Sequence, residues 1–216
     1  PTRKPRCSSF SVGVRDARYA EARSVTSGLS AHAIDPSQGF DAYVRWVNEL
    51  LDRAGLDRAA ICGASYGGYV ALHYAAARPA RVTSLTLAST PSPTWRPTCR
   101  VEWYLKAPRL LSPVFALSSP VRLYPEIAAT FPNLLARAAF ALRHLHRVTR
   151  YPFAPTRMAQ RVRLLDGVDL AADCGRASAP TQVVTGDPEL DRVVPVESTR
   201  EYVRAIPGAT HTWLEG

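Results

Sequence analysis

Apolar residues recur at helical spacing from Phe40 onward, where Phe40, Tyr43, Val44, Val47, Leu50, Leu51 and Ala54 share one face and polar residues fill the other. This run predicts a helix over 39–54, started by Asp35 or Ser37 and ended by Gly55. A short apolar segment over 58–62 then stops at a glycine cluster, after which Tyr69, Val70, Leu72, His73, Ala75 and Ala76 resume the helical period as far as Pro79. Strand, tight turn and helix is the simplest reading of that stretch. Residues 82–88 and 181–185 read as two more strands, closed by Thr90-Pro91-Ser92-Pro93 and by Gly186. A helix over 197–206 and a strand over 210–214 follow. The β-α-β-α alternation implies an α/β fold, a mostly parallel sheet with crossover helices. Upstream, residues 1–36 show one short alternation at Phe10, Val12 and Val14, which predicts a single strand.

Between the second and third of these strands lie about ninety residues, 92–180, that are broken by prolines and rich in arginine. Their best helical pattern covers 127–148, interrupted at Pro132. An insertion of this size between neighbouring strands predicts a helical cap over the carboxyl edge of the sheet, where open α/β folds bind their ligands. The expected organisation is therefore a core of 1–91 and 181–216 with an inserted cap over 92–180.

A chain of 216 residues with 46% hydrophobic and 21% charged positions can bury one substantial core. No apolar run reaches eighteen residues, so no membrane span is expected, and Arg3-Lys4-Pro5-Arg6 is not followed by the apolar stretch of an export signal. The net charge of +9 is concentrated in 92–180, where twelve Arg and one Lys face two Glu and three Asp. No RNP-like, helix-turn-helix or zinc-finger pattern accompanies that charge, so it reads as a solvated surface and no nucleic-acid partner is expected. Cys7, Cys62, Cys99 and Cys174 form no C-x-x-C pair, which suggests neither a metal site nor a redox motif and fits a reducing cytoplasm. Cys62, in an apolar segment, reads as a small core residue.

The strongest chemical signal is Gly63-Ala64-Ser65-Tyr66-Gly67-Gly68, a G-x-S-x-G pattern directly after a strand and directly before a helix. A serine presented on so sharp a turn needs small residues two positions before and after it, where backbones crowd, and Gly63 and Gly67 supply them. The Ser65 hydroxyl then projects over the sheet edge. The Tyr66 backbone N–H, at the helix N-terminus, is placed to stabilise a developing oxyanion with the helix dipole behind it.

These residues resemble the α/β-hydrolase superfamily, of the lidded serine hydrolase type, and the likeness extends over 39–91 and 180–214. Thr181-Gln182-Val183-Val184-Thr185-Gly186 followed by Asp191-Arg192-Val193-Val194-Pro195 is similar to the strand and loop that carry the family's acid. Asp191 keeps the Asp-to-Pro spacing, with Asp187 and Glu189 as lesser candidates. Asp187 reads first as a turn residue before Pro188. Serine at the elbow separates the chain from dehalogenases and epoxide hydrolases of the same fold, which use Asp there.

The resemblance implies cleavage of an ester-like bond in a small molecule with an apolar part, through an acyl-enzyme and without cofactor or metal. It also implies a catalytic histidine on the loop after the last strand, commonly in a Gly-His pair, which by this alignment falls a few residues beyond Gly216. His211, the only histidine after Asp191, is the fallback; His32, His73, His144 and His146 are weaker. No His-Gly pair marks the second oxyanion donor, and the region before Gly39 has room for one or two strands where the family has about four. The chain is thus expected to be short at both ends; the segment from Phe10 to Val14 is a candidate for the last of the early strands, and without the third strand the one that leads to Ser65 would have an unpaired edge. Trp95, Trp103, Tyr104, Phe115, Tyr124 and Phe131 are candidates for an acyl pocket or for the cap's own packing.

Overall fold

The structure, a computed structural model, describes residues 11–15, 22–25, 38–111, 124–125, 127–131, 133–150, 155–189 and 194–214. Six strands form one sheet: β1 (Ser11–Arg15), β2 (Ala22–Val25), β3 (Ala59–Ala64), β4 (Val82–Ala88), β5 (Thr181–Thr185) and β6 (Thr210–Trp213). Their order is β2-β1-β3-β4-β5-β6. The strands β3 to β6 run parallel, as the alternation implies. At the other end β1 pairs antiparallel with both β2 and β3, through Gly13–Cys62, Val14–Ile61 and Arg15–Ala60. The edge of β3 is therefore paired by β1, so the bare edge that loss of a neighbouring strand would leave is not present. The strand expected near Val12 is β1, whereas β2, only four residues with no alternation of its own, leaves no signal in the sequence.

Helices α1 (Asp41–Arg53), α2 (Tyr66–Ala77), α6 (Leu170–Arg176) and α7 (Val196–Ala205) belong to the core, while α3 (Cys99–Lys106), α4 (Leu134–Arg150) and α5 (Pro155–Leu164) lie in the expected insertion. The predicted start of α1 differs: Phe40 is its cap residue and makes no side-chain capping bond, and Asp35 and Ser37 lie outside the described residues. Its end follows the sequence. Gly55, at φ 67°, donates its N–H to Asp52 O at 3.0 Å while Leu56 N–H reaches Leu51 O at 2.9 Å, a left-handed closure that a Cβ would strain. Arg81 then ties this corner to β4, donating to Asp52 at 2.7 Å and to the carbonyls of Leu56 and Asp57.

Sequential parallel strands joined by right-handed crossovers place their helices on one face of the sheet. That face carries the core: Ile61, Leu85, Leu87 and Val183 are buried together with Val47 and Leu51 of α1, Val70, Leu72 and Tyr74 of α2, and Tyr202 of α7. Helix α2 is buried on nearly all sides, which explains why its sequence is apolar rather than amphipathic. The core also draws on Leu165, Leu170, Cys174, Ala177 and Ala179, the final part of the segment expected to be cap.

The opposite face is covered much less. Its cross-strand row runs Cys62, Thr86, Gln182, Thr210, and here Cys62 and Gln182 are exposed while Ala60, Ala64, Ser84, Ala88 and Val184 are half-buried. Cys62 is thus not a core residue as its apolar surroundings suggested; the period-2 pleat turns it to this second face. Cys174, in contrast, is fully buried in α6, and burial pushes its thiol up to about 12. Iodoacetamide added without denaturant should therefore modify Cys62 and Cys99 and spare Cys174, as read by peptide mass mapping. Protection of Cys62 in the native chain would show that this face is covered.

Candidate active site

Strand β3 ends at Ala64 and α2 begins at Tyr66, so Ser65 alone makes the turn. It does so at φ 52° and ψ −126°, a region that costs a residue with a side chain about 1–3 kcal/mol. The surroundings hold it there. Ser65 N–H donates to Ala88 O at 2.9 Å, across to the end of β4, and Gly68 N–H donates to Ser65 O at 2.9 Å. A Cβ on Gly63 would lie 2.6 Å from the Gly67 carbonyl carbon and 2.7 Å from Gly68 Cα, and one on Gly68 would lie 2.5 Å from Thr90 Cγ2. The crowding expected at Gly63 is present. Gly68 carries a second close approach, against the loop after β4, that the five-residue pattern does not name.

Tyr66 opens α2, so its N–H belongs to the first turn, whose amide groups point out of the helix N-terminus. Its side chain points away from the turn. The phenol donates to Arg161 O of α5 at 2.8 Å and packs near the Tyr43 and Tyr69 rings, with centroids 6.1 and 6.0 Å apart. Burial holds the Tyr66 hydroxyl far above the usual tyrosine range, so it remains a donor at any physiological pH. The residue after the serine thus offers a backbone amide at the turn and ties α5 to the elbow helix. Among the described residues nothing hydrogen-bonds Ser65 Oγ.

Because β3, β4 and β5 are parallel, the segments after Ala64 and Thr185 leave the sheet at the same carboxyl edge, two strand spacings or about 10 Å apart. Asp191 follows β5 but lies outside the described residues. Asp187 Oδ1 accepts the Glu189 N–H at 2.8 Å and so serves the turn, as its position before Pro188 suggests, and Glu189 is exposed.

No described histidine stands at Ser65. His211 lies beside Val183 in the register of β6, with Nε2 2.9 Å from Thr185 Oγ1, and β6 is three strand spacings, about 14 Å, from β3. His146 is exposed on α4. His73 is two turns along α2 from the elbow, held between Asp41 and Asp173. His32 and the side chain of His144 lie outside the described residues. Among the described residues no group of three or more His, Cys, Asp or Glu is arranged to hold a metal ion, and no helix is long and apolar enough to cross a membrane.

The loop after β4 is fastened to α7. Thr199 Oγ1 donates to Thr90 O at 2.9 Å, Tyr202 OH to Pro91 O at 2.7 Å and Ser92 N–H to Ser198 Oγ at 2.8 Å, while Ser92 Oγ donates to Glu201 at 2.5 Å. Helix α7 directly follows the loop that contains Asp191, so the hydrogen bonds that hold Thr90 under Gly68 also fix the exit of that loop. Sequence reasoning missed these anchors, since their partners are more than one hundred residues apart. Of the aromatics in 92–180, Trp95 packs on the core, Phe131 lies tilted against Phe140 at 5.1 Å, and the Arg137 guanidinium lies over Tyr124 at 5.8 Å. Trp103 is 69% exposed, Tyr104 is half-buried and Phe115 lies outside the described residues.

Residues 3–214 match the family model of the alpha/beta hydrolase fold. RutD of Klebsiella pneumoniae and of Klebsiella variicola, which carry a provisional carbamate hydrolase name, are each 29% identical over 168 residues, 74% of this chain and 58% of theirs. The chain thus spans under two thirds of the curated relatives it matches. Among solved structures, a hydrolase from Pseudomonas aeruginosa superposes with a TM-score of 0.64 at 22% identity, covering 89% of this chain and 67% of that one. An enol-lactonase from Burkholderia xenovorans gives 0.60 at 21%, covering 87% and 68%. At these identities the structural likeness concerns the fold.

The strain at Ser65 is measurable. Glycine tolerates the observed φ and alanine does not, so Ser65→Gly should be more stable to denaturant than Ser65→Ala by about 1 kcal/mol, after allowing for the greater chain entropy of glycine. Equal stabilities, or alanine above glycine, would show that the residue does not hold a positive φ.

Proposed function

The chain belongs to the alpha/beta hydrolase fold family, and from that premise we propose that it is a serine hydrolase acting on an ester-like bond of a small molecule with an apolar part. Ser65 is the nucleophile, Asp191 the acid and the Tyr66 N–H an oxyanion donor. The observation that carries the reading is the backbone of Ser65, at φ 52° between a parallel strand and a helix N-terminus. Strain of this kind persists only where surrounding contacts enforce it, and here it presents a hydroxyl at the sheet edge beside the amides of a helix start. The carbamate hydrolase name that RutD carries is consistent with attack on an acyl carbon.

In the reaction, Ser65 Oγ bonds to the carbonyl carbon as its proton passes to an imidazole, and the carbonyl oxygen becomes an oxyanion that accepts the Tyr66 N–H. Collapse breaks the bond to the leaving oxygen, which departs with the proton held by the imidazole. Water repeats the sequence on the acyl-serine and releases the acid. Asp191, on the loop after β5, orients the imidazole. The described histidines His73, His146 and His211 are each placed away from Ser65, so this reading assigns the base to none of them. Helices α3, α4 and α5 of the 92–180 insertion act as the cap over this edge, and a cytoplasmic location fits four widely spaced cysteines with no C-x-x-C pair.

A second reading, a binding protein that keeps the elbow as architecture, draws support from the same absence of a described base at Ser65. A fluorophosphonate probe separates the two. An activated serine should give an adduct that mass spectrometry maps to Ser65, that is lost in Ser65→Ala, and that forms faster when imidazole is added to stand in for the base. An intact fold whose Ser65 stays unlabelled at high imidazole would favour the binding protein.

A further inference from the structure

Helix α2 carries one histidine, and the elbow chemistry does not use it. His73 is 13% exposed, and each of its ring nitrogens meets a carboxylate: Nδ1 lies 2.8 Å from Asp173 Oδ2 of α6 and Nε2 lies 2.8 Å from Asp41 Oδ1 of α1. A carboxylate only accepts hydrogen bonds, and a neutral imidazole has a single N–H, so satisfying both contacts requires the doubly protonated ring. Asp173 is itself 1% exposed, and its second oxygen accepts from Arg176 at 2.5 Å. A carboxylate so deeply buried is costly without cations against it.

The ring forms part of the wall of a pocket of about 420 Å³ that also presents Phe40, Asp41, Arg163, Asp169 and Arg176. Phe40 meets the imidazole edge-on at 5.2 Å. The charged groups facing His73 are thus Asp41 from α1, Asp173, Arg176 and Asp169 from α6 and its start, and Arg163 from α5. Three carboxylates stand against two guanidiniums. The imidazolium brings the cluster to neutrality, and its loss leaves an excess negative charge around a buried carboxylate.

We propose that His73 is a pH-operated latch that fastens the elbow helix α2 to α1 on one side and to α6 on the other. Burial alone would push the imidazole down, but the hydrogen bonds and charges of Asp173 and Asp41 outweigh it and hold it above the usual histidine range. The sign follows from that direction. The latch contributes fully below the histidine value of the unfolded chain, near 6.5, and is lost as pH rises through the higher folded value. Alkaline conditions therefore loosen the two neighbours of α2, including α6, whose C-terminus leads within a few residues into β5. The latch is independent of whether Ser65 turns over a substrate.

Two measurements on the full chain test it. In the first, the melting temperatures of wild type and His73→Gln are compared from pH 6 to pH 9. Wild type should melt several degrees above the variant at pH 6, and the gap should close by pH 9, because glutamine cannot gain the charge. A gap that is constant across this range would overturn the latch. In the second, NMR follows the titration of the His73 ring, which should have its midpoint above 6.5, and Asp41→Asn, a change at an exposed carboxylate, should lower it. A wild-type midpoint at or below 6.5, or one that Asp41→Asn leaves in place, would overturn it as well. The second measurement decides the matter even where His73→Gln fails to fold.

Discussion

The turn between β3 and α2 leaves no room for a side chain at Gly63 or Gly68, and that close approach fixes how the rest of the core can sit. Gly63 meets the backbone of its own helix start, while Gly68 meets Thr90 in the loop after β4. With both contacts made, α2 lies tight against the sheet, and Ser65 is forced into a backbone conformation that serine would not choose. The same crowding links neighbouring elements. Thr90 is held from behind by Thr199 of α7, and Ser65 N–H is anchored on Ala88 at the end of β4. The β3–α2 turn, the loop after β4 and helix α7 therefore form one packed unit.

The sheet has two unlike faces for a topological reason. Four parallel strands in sequential order send every crossover helix to the same side, so α2, α6 and α7 build a deep core there. Parallel sheets in soluble proteins are normally covered on both sides. Here Cys62 and Gln182 are exposed on the second face, and among the described residues the core on the first face is joined by specific polar ties. Arg81 at the α1–β3 corner, Tyr66 on α5 and His73 between α1 and α6 are three such ties.

What the sequence made legible was local. Residues 82–88 and 181–185 were readable as strands because buried parallel strands are short apolar runs bounded by turn residues, and the elbow was readable because its glycines lie within five positions of the serine. Helix α6 was hidden: seven residues, Leu170–Arg176, inside an Arg-rich segment give too short a period to separate core from cap. His73 looked like one more position on a helical face, because Asp173 is one hundred residues away and Asp41 thirty-two. Cys62 was misassigned, since a run of apolar residues does not say which face of a pleated strand each one takes. The proposal of Asp191 as the acid rests on its spacing to Pro195 alone, as it lies outside the described residues.

The central claim is that the β3–α2 turn presents Ser65 to an acyl group with the Tyr66 amide facing the oxyanion. A crystal structure of the chain after reaction with a phosphonate ester tests it most directly, because the phosphoryl oxygen reports where an oxyanion would sit. The account predicts a covalent bond to Ser65 Oγ, a positive φ at Ser65, and a phosphoryl oxygen within hydrogen-bonding distance of the Tyr66 N–H. A Ser65 with negative φ, or an adduct whose phosphoryl oxygen turns to solvent away from the start of α2, would contradict it.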